Sequence, residues 1–205
     1  MTKNIFTMRS ENMSDTQMRE VNRLASLGFE QSEGGMYEDT RAHILDSDRA
    51  QLMYFDEEVK GFVLYSACLG GAAIELVGIV IDPKYQGHGL GSELLADFVE
   101  NQNPDFLTAY TRNPSTVGLL NHYNGVYPLD RDSRLEQIAS EMSGAELIDD
   151  AIYHIGRYGN DGLYGINDPA ERSLRGDNIP MKERFQQLNE PDNALVLAAK
   201  MERGV

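Results

Sequence analysis

The sequence predicts an α/β protein, and three stretches carry that prediction. Residues 75–101, ELVGIVIDPKYQGHGLGSELLADFVEN, run from a β-branched apolar strand through a glycine-punctuated turn into an amphipathic helix. Residues 106–110 follow as a second apolar strand. Together they make a strand–helix–strand crossover whose two strands are expected to be parallel neighbours. Residues 51–55 and 61–68 flank the acidic turn Asp56-Glu57-Glu58, the pattern of an antiparallel hairpin.

The elements then follow in order. Residues 4–9 form a short first strand. Residues 14–27 form a helix capped by Ser14, with Met18, Val21, Leu24 and Ala25 on one face, and Gly28 is its expected stop. Residues 30–41, with Gly34-Gly35 inside, are expected to be a connection, and 40–47 a short second helix. After the hairpin, Gly70-Gly71 turns the chain into the strand 74–81, which Asp82-Pro83 ends because proline donates no ladder hydrogen bond. The central helix runs from Ser92, where Leu94, Leu95, Phe98 and Val99 recur at helical spacing. Another helix is expected from Ser115, with Val117, Leu119, Leu120 and Tyr123 available for packing. Beyond Tyr127 the expectation is a helix over 134–142, a strand over 151–155, long loops over 156–191 and a closing strand over 194–201.

Length and composition bound the function. A chain of 205 residues with 41% hydrophobic content can bury a substantial core and fits one domain, 1–205, with 127–193 as an excursion before the closing strand. A net charge of −15 argues against nucleic acid or an anionic membrane as partner, and suits a cationic small molecule or basic peptide as well as it suits a simple acidic surface. The single cysteine, Cys68, leaves no intramolecular disulfide to form and lies in an apolar run, as a buried small hydrophobe does. With no apolar leader and no run of transmembrane length, the expected compartment is the cytoplasm. His43, His122 and His154 have no metal-ligand spacing, so no metal is expected.

The glycine turn lies between a strand and a helix N-terminus, where free amides and the helix dipole attract anions. A phosphate loop of the ATPase kind needs Gly-Lys-Ser or Gly-Lys-Thr at its end, and a dinucleotide loop needs a glycine where Ser92 stands, so both are disfavoured. The run Gln86, Gly89, Gly91, preceded by Ile81-Asp82-Pro83-Lys84-Tyr85, resembles the Q/R-x-x-G-x-G/A signature of the GNAT superfamily of acyl-CoA-dependent N-acetyltransferases. The resemblance covers residues 61–123 clearly and is nearly absent from 127–192. It implies a mixed, mainly antiparallel central sheet flanked by helices, with strands 74–81 and 106–110 as a parallel pair at the cofactor cleft. It further implies that backbone amides of Gln86, Gly87, His88, Gly89, Leu90, Gly91 and Ser92 hold the coenzyme A pyrophosphate, and that the main chain of Ile79, Val80 and Ile81 pairs with the pantetheine arm. The side chain of His88 carries no required chemistry in this pattern.

The reaction the resemblance implies is transfer of an acetyl group from acetyl-CoA to a primary amine by direct attack, with a small-molecule or peptide amine as acceptor. The alternative is a non-catalytic acyl-CoA sensor or structural module of the same fold. Glu75, eleven positions before Gln86, matches the catalytic glutamate of the histone acetyltransferase branch and is equally a polar residue at a strand start. Tyr123 resembles the family's general-acid tyrosine, at a longer interval from Asn113 than family members show. It is equally a packed aromatic, and Tyr110 and Tyr127 compete for the role. Asn113 resembles the asparagine that contacts the cofactor, and an Asn-Pro helix start explains it as well. The closing strand 194–201 is of a kind that a homodimer can share.

Overall fold

The computed structural model describes residues 2–123, 125–159, 162–164, 168–170, 179–188 and 190–201. They fall into two compact units, Met1–Ala67 with Glu75–Asn103, and Cys68–Ile74 with Pro104–Val205. Among the described residues no helix is long and apolar enough to cross a membrane. The secondary structure is α/β, and every strand pair with a defined register inside either unit is antiparallel.

In the first unit the strands stand in the order β1 (Lys3–Arg9), β2 (Arg49–Phe55), β3 (Glu58–Cys68) and β4 (Ala73–Ile81). Helix α1 (Asp15–Phe29) opens on a full capping box: Ser14 Oγ accepts from the Gln17 amide and Gln17 Oε1 accepts from the Ser14 amide. Its end is not Gly28. The chain leaves the helix at Glu30, which adopts a left-handed φ of 56°, and Gly28 lies inside because a Cβ there would come 2.7 Å from Val80 Cγ1. Gly34-Gly35 is likewise no connection. It forms the first turn of α2 (Glu33–Asp46), started by Ser32 Oγ accepting from the Gly35 amide and held by the buried stripe Met36, Thr40, Ile44. The β2–β3 hairpin turns on Asp56 and Glu57, both left-handed. Asp56 bonds Thr2 twice, through its own amide at 3.1 Å and its carboxylate at 2.8 Å.

The β-strand period of two sends alternate residues to opposite faces. Ala50, Leu52, Phe62, Leu64 and Val80 join Val21, Leu24 and Ala25 of α1 and Met36 and Ile44 of α2 in one apolar cluster. Gln51 instead reaches helix α3 (Leu90–Gln102), donating to Asp97 Oδ2 at 2.6 Å, and Tyr65 stacks on Phe98 at 3.5 Å between centroids. Leu94, Leu95 and Phe98 are fully buried, worth roughly 1.5–3 kcal/mol each.

The second unit is built on β9 (Ala194–Lys200), whose residues 194–199 are all completely buried. It pairs with β5 (Phe106–Thr111) along one edge. Along the other it meets β6 (Val126–Tyr127) and β8 (Ala151–His154) end to end, and β8 pairs onward with β7 (Ala145–Ile148). The unit also holds helices α4 (Pro114–Leu120), α5 (Ser133–Ser140) and α6 (Ile179–Gln186). Helix α6 corrects the expectation of loops throughout 156–191. Its helical signal is a proline at the second position, which suits a first turn. Residues 160, 161, 165–167, 171–178 and 189 of that stretch lie outside the described residues. Arg112, only 3% exposed, ties its far parts to β5: it pairs with Asp168 and donates to the carbonyls of Glu190 at 2.6 Å and Asn193 at 2.8 Å.

Candidate functional site

The site is built where β4 gives way to α3. Asp82, 5% exposed, continues the strand pairing through its amide to the Lys60 carbonyl at 2.9 Å, while its Oδ1 accepts from the Lys84 amide at 3.0 Å. That carboxylate caps the 3-10 turn Pro83–Tyr85. The Tyr85 ring is fixed by the edge of Phe55 at 5.4 Å and by the Lys60 ammonium at 5.4 Å over its face. Glu58, bonded to Lys60, holds that ammonium above the usual lysine range.

Two side chains then shape the loop. Gln86 Nε2 donates to the Ile81 carbonyl at 3.0 Å, pinning the loop to the strand end. His88 Nδ1 lies 3.2 Å from the Tyr85 carbonyl and 2.9 Å from that of Gln86. Gly87 and Gly89 have φ of 79° and 78°, and a Cβ on either would meet open space, so glycine is required there by backbone conformation and not by crowding. Gly89 is the N-cap of α3, and Glu93 makes the first helical bond to the Gly89 carbonyl at 3.0 Å. The amides of Gly89, Leu90, Gly91 and Ser92 therefore have no partner within the helix. The helix begins two residues before the expected Ser92, so Leu90 and Gly91 belong to its first turn. Glu93, the acid of that turn, is paired with Lys3 from the start of β1, which offsets a carboxylate beside an anion-attracting helix end.

The three strand residues divide by face. Ile79 and Ile81 lie 3.7 and 3.9 Å from a Cβ built on Gly91, under the α3 N-terminus, while Val80 packs toward Gly28 of α1. Val77, partly buried, packs against the same cluster as Val80. Glu75 is half-buried on the same strand, six residues before Ile81 and thus ~20 Å along it.

Asn113 and Tyr123 belong to the second unit. Asn113 caps α4, its Oδ1 accepting from the Ser115 amide at 3.0 Å, and its side chain also hydrogen-bonds Tyr164. Tyr123 follows α4, half-buried, and burial raises its phenol above the usual tyrosine range. Of its competitors, Tyr110 donates its hydroxyl to the Ser143 carbonyl at 2.7 Å and Tyr127 is fully buried. The structure thus brings Ile79, Ile81, Gln86, Gly87, His88, Gly89, Leu90, Gly91 and Ser92 together at one end of the first unit's sheet. Glu75 lies farther down the same strand. Sequence reasoning missed Lys3, Lys60 and Tyr164. Lys3 meets Glu93 across 90 residues, and Lys60, beside its near neighbour Glu58, reaches the Tyr85 ring from another strand, contacts that only the fold creates. Among the described residues no group of three His, Cys, Asp or Glu is placed to hold a metal ion.

A family model described as the Acetyltransferase (GNAT) family matches residues 15–109. No curated protein sequence matches the chain. Among solved structures, an aminoglycoside 6'-acetyltransferase type Ii superposes with a TM-score of 0.53 at 11% identity, over 98% of this chain and 99% of that one. A GNAT-family acetyltransferase from Bacillus cereus ATCC 10987 gives 0.52 at 13%, over 98% and 99%. The ribosomal-protein-S18-alanine N-acetyltransferase from Escherichia coli gives 0.50 at 14%, over 100% and 97%. At these identities the likeness is one of fold. The matched segment runs from the first residue of α1 into β5 and contains β4, the glycine loop and the whole of α3, so over residues 15–109 the chain is similar to the GNAT acetyltransferase family.

Proposed function

We propose that the protein is an N-acyltransferase that moves an acetyl group from acetyl-CoA to a primary amine by direct attack. The observation that carries this reading is the α3 N-terminus. Its four amides without a partner in the helix lie on or just after a loop whose glycines are left-handed and whose backbone is pinned by Gln86. Such an array binds a pyrophosphate through main chain alone. The ~20 Å of β4 between Ile81 and Glu75 suits a cofactor that carries its phosphates and its thioester at opposite ends of an extended pantetheine arm. In this reading the main chain of Ile79, Val80 and Ile81 pairs with that arm.

The chemistry follows from the amine. Only its neutral form attacks, so Glu75 takes the ammonium proton; the nitrogen then bonds to the thioester carbon and the carbonyl electrons move onto oxygen. Collapse re-forms the carbonyl and breaks the carbon–sulfur bond. The leaving thiolate takes a proton from Tyr123, which burial keeps in its acid form at neutral pH, and the nitrogen's second proton returns to the tyrosinate, leaving a neutral amide. Asn113 supports the cofactor from the head of α4, and the net charge of −15 favours a cationic acceptor selected by residues of 127–193. Calorimetry with acetyl-CoA, NAD and ATP tests the cofactor, and amine-dependent release of free thiol tests turnover. Stoichiometric binding of acetyl-CoA alone, with thiol release by some member of a primary-amine panel, is the expected result. Binding without release across the panel favours a sensor, and binding of NAD or ATP in place of acetyl-CoA refutes the reading.

A further inference from the structure

We infer that His88 is a positioning residue for the acyl-CoA phosphates, its imidazole aligning the Gln86 and Gly87 amides with those of the α3 N-terminus. The inference rests on the acyl-CoA reading of this loop. Its geometry stands on three facts. His88 Nδ1 approaches two carbonyl oxygens, of Tyr85 at 3.2 Å and of Gln86 at 2.9 Å. A carbonyl oxygen only accepts, so Nδ1 must carry the proton and donate to both, and the neutral ring is the Nδ1–H tautomer with Nε2 left as its acceptor.

The second fact is peptide geometry. In a trans peptide the N–H points opposite to the C=O. With the Tyr85 and Gln86 carbonyls both turned to the imidazole, the amides that share those two peptide units, Gln86 N–H and Gly87 N–H, both point away from it. The third is the freedom that the ring removes. Gly87, at φ 79°, accepts either sign of φ, so an unlatched peptide between residues 86 and 87 is free to flip and present its carbonyl where its amide should be. A carbonyl dipole turned toward a pyrophosphate repels it. Gln86 Nε2 on the Ile81 carbonyl fixes the loop from the strand side, and His88 fixes it from the helix side.

Two substitutions separate this role from packing. In His88→Asn the amide nitrogen stands where Nδ1 stood and can donate to the same carbonyls, whereas His88→Leu keeps the branched shape without a donor. His88→Leu is expected to raise the Kd and KM for acetyl-CoA about five- to tenfold, the worth of one net hydrogen bond, with kcat and the amine KM unchanged. His88→Asn is expected to stay within about twofold of wild type. Long-range nitrogen NMR of the ligand-free protein should find His88 in the Nδ1–H tautomer. Wild-type-like acetyl-CoA affinity in His88→Leu, equal losses in both variants, or an Nε2–H tautomer overturns the inference while wild-type binding leaves the acyl-CoA reading intact. Failure of the wild type to bind acetyl-CoA overturns both.

Discussion

Removing Asp168 from beneath Arg112 should cost the protein a large part of its stability. The guanidinium is 3% exposed, and its Nε and one terminal nitrogen donate to Asp168 Oδ2 at 2.8 and 2.5 Å. Breaking such a pair by deleting one partner leaves an uncompensated buried charge, at about 3–5 kcal/mol. Arg112 keeps two strong acceptors, the carbonyls of Glu190 and Asn193, which holds Asp168→Ala toward the lower end of that range. Arg112→Met should be worse, because it strands the Asp168 carboxylate and both carbonyls. The double variant Arg112→Met/Asp168→Leu has no buried charge left; it frees the Glu190 and Asn193 carbonyls and the Ala170 amide, which donates to Asp168 Oδ1 at 2.9 Å, at about 1 kcal/mol each. It should therefore be more stable than Arg112→Met alone, with a coupling energy of at least about 2 kcal/mol in the cycle. Urea unfolding followed by far-ultraviolet circular dichroism, with m-values compared across the four proteins, measures this. Strict additivity, or an Asp168→Ala loss below about 1 kcal/mol, would refute the view of Arg112 as the buried tie of the second unit.

Other consequences are equally direct. Glu75→Gln should lower kcat by about 10²–10⁴ while the calorimetric affinity for acetyl-CoA stays at the wild-type value, and a matched fall in both would refute a base role. Gly28→Ala gains helix propensity but drives a methyl to 2.7 Å from the stiff, buried Val80, so a net loss of about 1–2 kcal/mol is expected, recovered in part by Val80→Ala. Ser26, 2% exposed, has a hydroxyl with no hydrogen-bond partner among the described residues, so Ser26→Ala should raise the unfolding midpoint, by about 1 kcal/mol in free energy. Burial raises the phenols of Tyr123, Tyr127, Tyr153 and Tyr164. A group whose pKa is raised by folding stabilises fully below its unfolded pKa and loses that contribution as pH climbs through its folded one. Stability should therefore fall above about pH 10 and Tyr153→Phe should flatten the fall, as denaturant titrations across that range will read.

How far the sequence could be read follows from the distance over which each feature is encoded. Ser14 and Gln17 are three residues apart, so the start of α1 was legible. The reason for Gly28 is Val80, 52 positions away, so local signals alone end the same helix too early. Gly34-Gly35 misled because local propensity argues for a connection, whereas the Ser32 cap and the buried stripe Met36, Thr40, Ile44 outweigh it. Strands β6 and β7 are two and four residues long, too short for any period to register, and exist because β9 and β8 lie beside them.

The glycine loop stands at the other extreme. The phosphate cradle proposed for it is made of main-chain amides and asks only for a backbone shape, and everything that shapes the loop (two left-handed glycines, the Gln86 latch, the His88 ring and the first turn of α3) lies within a dozen consecutive residues. Selection of an amine asks instead for side chains gathered from separate elements, as Arg112 is gathered with Asp168 and Asn113 with Tyr164 across some fifty positions. A cofactor that every member of a family shares can be bound by local backbone. An acceptor that differs from member to member must be bound by side chains, and those are ordered only by the finished fold.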